Sequence, residues 1–160
     1  MISDDLLDLA QIIACRTPGF LDRRGPGKDK GNGATDAFLA ELNSAASERW
    51  PSACVQQERA FPGAKYSFDF FIPSEQTAIE IALSLRNVVT EFEKDIFKAI
   101  LAKDGGKDVR RLILVGKHGA VKRLAGAGPK AIVGWVARTQ GIEVHIKDLG
   151  RPDLAACSIG

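Results

Sequence analysis

The chain has 160 residues, 45% of them hydrophobic, with a net charge of +2. That is the profile of one globular domain able to bury roughly 70% of its extended-chain surface, so no disulfide staple is needed and no purely electrostatic partner follows from total charge. Cys15, Cys54 and Cys157 are odd in number, far apart and without metal-ligand spacing, which predicts buried thiols in a reducing compartment. The opening Met1 to Asp5 is acidic, and the N-terminus has no apolar run long enough for a signal peptide or a membrane span; a cytoplasmic protein with no membrane partner is expected.

The spacing of Leu6, Leu9, Ile12 and Ile13 predicts a first helix over 3–15, with Ser3 as its cap and Asp4 and Asp5 in its first turn. Its apolar stripe suggests packing across a dimer partner. Thr17-Pro18-Gly19 ends it, and Asp22 to Gly33, rich in Gly, Arg and Lys, reads as a mobile basic loop. Arg23, Arg24, Lys28 and Lys30 in that loop are candidates for holding a phosphate backbone. A second helix over 35–49 follows, with Phe38, Leu39, Leu42, Ala45 and Ala46 inward and Glu41 near its middle.

The period then changes to that of strands over 54–60, 65–72 and 77–84. Helical spacing returns over 87–103, stopped by Gly105-Gly106. Arg111 to Gly116 is a nearly continuous apolar strand of the kind buried on both faces. A helix over 120–140, broken at Gly126 to Pro129, and a last strand over 142–146 complete the order, with His145 facing outward. Basic residues concentrate in 16–30 and 103–130, acids in 4–8 and 91–95, so a mildly charged chain still has material for a basic face. Lys117 and His118, just after the apolar strand, join the candidate phosphate contacts because open α/β sheets often place functional residues there.

The turn Pro73-Ser74-Glu75-Gln76 fixes a register in which Ile72 faces Thr77 and Asp69 faces Glu80. Alternation then sends Tyr66, Phe68, Phe70 and Ile72 to one face with Thr77, Ile79 and Ile81, and puts Asp69 and Glu80 on a second, small and acidic face. Like charges opposed across a strand pair repel, so two carboxylates kept there point to a shared cation or proton. No P-loop, dinucleotide fingerprint or nucleophile elbow competes with this site.

The order helix, three strands, helix, strand, helix, strand from Thr35, with Phe68-Asp69, ten intervening residues and Glu80-Ile81-Ala82, resembles the PD-(D/E)XK nuclease superfamily. The resemblance implies an α/β restriction-endonuclease-like core over 35–147, a central mixed sheet of about five strands flanked by helices. Residues 1–34 would add the extra N-terminal helix and basic loop, and 148–160 a tail, all within one domain. It further implies an endonuclease hydrolysing phosphodiester bonds, in DNA before RNA, in the manner of a type II restriction enzyme and plausibly as a homodimer. Asp69 and Glu80 would bind Mg²⁺ or Mn²⁺, joined by Glu41 from the preceding helix, and the metal would polarise the phosphate and activate water. Ala82 stands where the family carries a lysine; Lys94 or Lys98, on the stripe Asn87, Glu91, Lys94, Lys98, is expected to supply the missing cation. An alternative is a nuclease-fold protein inactive through that loss, acting as a DNA-binding or protein-interaction subunit.

Overall fold

A computed structural model describes residues 1–21, 32–81, 87–117 and 119–150. The basic-loop residues Arg23, Arg24, Lys28 and Lys30, as well as Ala82, His118 and Cys157, lie outside the described residues. Five helices and five strands follow in the order α1 (Ile2–Arg16), α2 (Asn32–Arg49), β1 (Val55–Arg59), β2 (Ser67–Ile72), β3 (Thr77–Ile81), α3 (Val88–Asp104), β4 (Arg111–Lys117), α4 (Ala120–Arg123), α5 (Ala127–Gln140) and β5 (Glu143–Leu149). The strands form one mixed sheet in sequence order, antiparallel from β1 to β3 and parallel from β3 to β5. Each parallel join needs a crossover, and α3 and the α4–α5 pair supply the two.

The sheet is covered on both faces. On one, Leu6, Leu9 and Ile13 of α1 and Phe38, Leu42 and Ala46 of α2 bury Phe70, Ile72, Ile79, Ile113 and Val115. On the other, Phe92, Ile96 and Ala99 of α3, with Leu124 and Val136, bury Phe68, Phe71, Ala78, Leu112 and Leu114. β4 gives alternate residues to both layers, as its unbroken apolar run predicts. Leu6, Leu9 and Ile13 of the α1 stripe are therefore spent on its own sheet, whereas Ile12, expected beside them, is exposed. The face that carries Glu80 is not a small acidic surface but a second core.

The hairpin register begins as expected, with Ile72 opposite Thr77, Phe71 opposite Ala78 and Phe70 opposite Ile79; the ladder between the described strands stops there, so the expected pairing of Asp69 with Glu80 is not part of it. Strict alternation fails next to it. Phe68 lies on the α3 face with Phe71, their rings 6.4 Å apart, while Phe70 lies on the other. The irregularity falls at Asp69, whose counterpart in β1 is Gln57, a non-glycine residue at φ 50° between the pairs Gln56–Phe70 and Glu58–Phe68. Tyr66, expected inward, is half exposed, beyond the start of β2.

Ser3 does not cap α1. Its hydroxyl is fully buried without a hydrogen-bond partner, and the backbone N–H groups of Ile2 and Ser3 donate instead to the Glu75 carboxylate in the hairpin turn. An anion on those N–H groups satisfies two orphan donors and complements the helix dipole, so the turn and α1 hold one another. α2 begins at Asn32, earlier than its apolar spacing reveals. The helix break falls before Ala127, because Pro129 is tolerated in the first turn of α5, where its missing N–H has no intrahelical partner to lose. β5 runs on through Lys147, Asp148 and Leu149 because β4 continues to pair with it as far as Lys117. His145 is exposed, as expected. No helix among the described residues is long and apolar enough to cross a membrane.

Replacing Glu75 by Ala lowers unfolding free energy by about 1 to 2 kcal/mol, the worth of a helix cap with dipole support. Ser3→Ala is neutral or slightly stabilising, since a buried hydroxyl without a partner contributes nothing. Urea unfolding of both variants checks the pair; equal losses would contradict the assignment of the cap.

Candidate active site

Glu80 sits near the end of β3, where alternation turns it toward α3 and away from solvent; it is 6% exposed. The charge is met from the helix above. Lys98 of α3, 7% exposed, donates to the Glu80 carboxylate, to the Ser67 carbonyl at 2.9 Å, and lies 3.3 Å from Asp95 Oδ1. Its ammonium is also 5.7 Å from the Phe68 ring centre, so the departure of Phe68 from alternation provides the aromatic floor under this lysine. Asp95 is 4% exposed.

Asp69 is half-buried, and its Oδ2 accepts a hydrogen bond from the Ile81 N–H at 2.7 Å. The side chain thus takes a backbone donor just beyond the last β2–β3 pair and is held beside the strand that carries Glu80. Burial first, then the neighbouring charge of Asp95, pushes the Glu80 carboxyl up to about 8; Lys98 opposes the shift and Asp69 adds to it. Burial likewise raises Asp95, again opposed by Lys98. Two buried acids share one ammonium, and a proton makes up the deficit.

The two expected lysines separate here. Lys94 is exposed and paired with Glu91 one turn earlier, whereas Lys98 reaches Glu80. Glu41 does not join the cluster: it is exposed on α2, whose inward residues Phe38 and Leu42 pack on the opposite face of the sheet from Lys98. Lys117 is committed to the α1–α2 connection, donating to the Phe20 carbonyl at 2.7 Å with its ammonium 4.4 Å from the Phe20 ring centre. Much of the basic stretch after Lys103 is similarly engaged: Lys103 with the Gln140 carbonyl at the end of α5, Lys107 with Glu58, and Arg110 with Asp108. Asp95 was not among the sequence candidates, although it falls inside the buried stripe Val88, Phe92, Ile96, Ala99; a carboxylate on an apolar helix face was the available signal.

The donor set suits a hard cation. Among the described residues no group of three or more His, Cys, Asp or Glu side chains is arranged to hold a metal. A bound ion would therefore take two protein carboxylates, Asp69 and Glu80, and fill its shell with water or substrate oxygen, the usual habit of Mg²⁺. Binding such an ion would require release of the proton that makes up the deficit.

A carboxyl raised in the folded state favours folding most below its ordinary 4.5, and that contribution is lost as pH climbs through about 8. Metal-free protein therefore loses stability over that interval. Glu80→Gln, which mimics the protonated acid, should lose less stability than the wild type as pH rises through that interval. Denaturant unfolding at several pH values in the presence of a chelator checks this; parallel curves for the two proteins would contradict the placement of the proton. The chain matches no family model, no curated protein and no solved structure.

Proposed function

We propose that this protein is a metal-dependent nuclease of restriction-endonuclease-like fold, a PD-(D/E)XK variant in which the lysine has moved from β3 to α3. One observation carries the reading: the buried ammonium of Lys98 lies against Glu80, supplying from the helix the cation that an alanine at position 82 cannot. The five-stranded mixed sheet, the hairpin register and Asp69 beside β3 support it.

Hydrolysis forms a bond from water oxygen to phosphorus, breaks the ester bond and leaves a phosphate monoester and a hydroxyl. A divalent cation, when bound, neutralises phosphate charge and makes water more acidic. Asp69 and Glu80 would hold it, with Asp69 oriented by the Ile81 N–H. Lys98 would orient the attacking water and offset charge gathering on the phosphate. DNA is the preferred substrate, and the basic loop with Arg23, Arg24, Lys28 and Lys30 would contact its backbone, aided by His118. A homodimer would place two such sites on a duplex.

The contact between Lys98 and Glu80 also favours a second reading, a nucleic-acid-binding or protein-interaction subunit in which the ammonium permanently takes the place of the metal.

Incubation of supercoiled plasmid with the protein and Mg²⁺ or Mn²⁺ separates the two readings. Nicking or linearisation is expected, falling about 100-fold or more in Asp69→Asn, Glu80→Gln and Lys98→Met and little in Lys94→Met. A parallel RNA substrate should be cut more slowly. Intact nucleic acid at every metal concentration, with salt-sensitive binding, would select the inactive subunit.

A further inference from the structure

We propose that Asp95 is a positioning residue that fixes the Lys98 ammonium over the Glu80 carboxyl group. The inference deepens the hydrolytic reading and rests on it for the role of Lys98.

An ammonium has three donors, and here three elements face it. Glu80 comes from β3, the Ser67 carbonyl from β2, and Asp95 from one turn earlier on the same helix as the lysine. Of these, only Asp95 offers a carboxyl group from outside the candidate metal ligands. Were Glu80 to hold a divalent cation instead, Lys98 would keep the Ser67 carbonyl and the Asp95 side chain. Without Asp95 it keeps the carbonyl alone and is free to swing about that contact.

The surroundings of Asp95 make its presence costly for packing alone. It is 4% exposed, between Phe92 and Ile96, and shares a small apolar crevice with Leu114, Ala120, Leu124 and Ile146. An apolar side chain would complete that lining without desolvating a charge. The aspartate instead meets a cation at helical i, i+3 spacing, with the lysine ammonium over the Phe68 ring. Preorganised placement of this kind is what lets a group act on a transition state without rearranging first.

The test combines kinetics with a measurement that needs no activity. In metal-free wild-type protein the Lys98 side-chain ¹⁵Nζ resonance, assigned by its loss in Lys98→Met, should be visible through slow exchange. In a metal-free Glu80→Gln background, where Lys98 depends on the Ser67 carbonyl and Asp95 for its strongest contacts, it should persist, and adding Asp95→Asn there should broaden it beyond detection while circular dichroism shows an intact fold. With Mg²⁺, kcat of the single variant Asp95→Asn on plasmid should fall about 10- to 100-fold, the scale for a misplaced catalytic group, with KM changed less than about twofold. Should Asp95→Asn fail to fold, Asp95→Ser is read in its place with the same outcomes expected. A retained resonance, or an unchanged kcat despite its loss, overturns the proposal. If the wild type cleaves nothing, the hydrolytic reading fails, and with it the catalytic meaning of the position, while the resonance still reports whether Asp95 holds the lysine.

Discussion

One buried ammonium, Lys98, joins β2, β3 and α3. The face of the sheet it covers is otherwise apolar, and Glu80 in that setting would be an isolated ion whose desolvation no packing offsets. Lys98 removes the problem for Glu80 but is itself brought out of water, and the Ser67 carbonyl and Asp95 complete its shell. The two contacts that cross to the sheet, with Glu80 and the Ser67 carbonyl, tie the rotation and distance of α3 to it. Apolar side chains alone tolerate sliding of a helix over a surface; a fully satisfied polar cluster does not. Replacing the cluster with hydrocarbon of equal volume often leaves stability unchanged or improved, so its presence is better explained by what the charges do than by the stability they add.

Glu75 has a comparable effect on the other layer. Its carboxylate reaches from the hairpin turn to the first N–H groups of α1, so the same hairpin that presents Asp69 and Glu80 is braced from both sides, by α1 at its turn and by α3 over the acidic strand. The neighbouring Cys54 thiol registers this environment: burial, with the Glu75 charge adding to it, pushes its pKa up to about 11, which keeps it an unreactive thiol at neutral pH.

Element order and hairpin register were legible in the sequence because both follow from local rules, helical or strand periodicity and a short turn between equal apolar arms. The buried faces of α1, α2 and α3 came from the same spacing. What escaped depends on contacts across long sequence separations. Glu75 capping α1 looked like a turn residue, and Ser3 like a cap, because a capping rule sees only neighbours. Phe68 obeys alternation in sequence and breaks it in space, where the neighbouring strand residue Gln57 adopts a left-handed conformation. Glu41 and Leu42 are adjacent, but the roughly 100° turn between consecutive helical residues puts one in the core and the other in solvent. Lys94 and Lys98 shared one stripe until the tertiary structure placed one at the rim and the other beneath the helix. Charge clustering after Lys103 was real in sequence, yet several of those cations are used to tie loops and helix ends together.

Under the hydrolytic reading, a cation carried by a helix acts differently from one carried on the chain segment of the acids. A lysine two residues beyond Glu80 in sequence would be tied to the acid by the chain itself, so the two could not move far apart. Lys98 belongs to another element, and its distance from Glu80 depends on how α3 sits. Asp95 lies on that helix too, so it moves with Lys98 and leaves the sheet-borne carboxylates behind. A small displacement of α3 therefore alters the lysine's contact with Glu80 while preserving its contact with Asp95. Under the hydrolytic reading this division lets the strand pair hold a metal while the helix pair holds the ammonium, two rigid units meeting over one phosphate. Under the inactive reading the same geometry locks shut, because the ammonium that approaches Glu80 fills the place of the ion. The difference between the two lies in whether the sheet acids release Lys98 when a stronger cation arrives, an exchange that also requires release of the proton that makes up the deficit at this site.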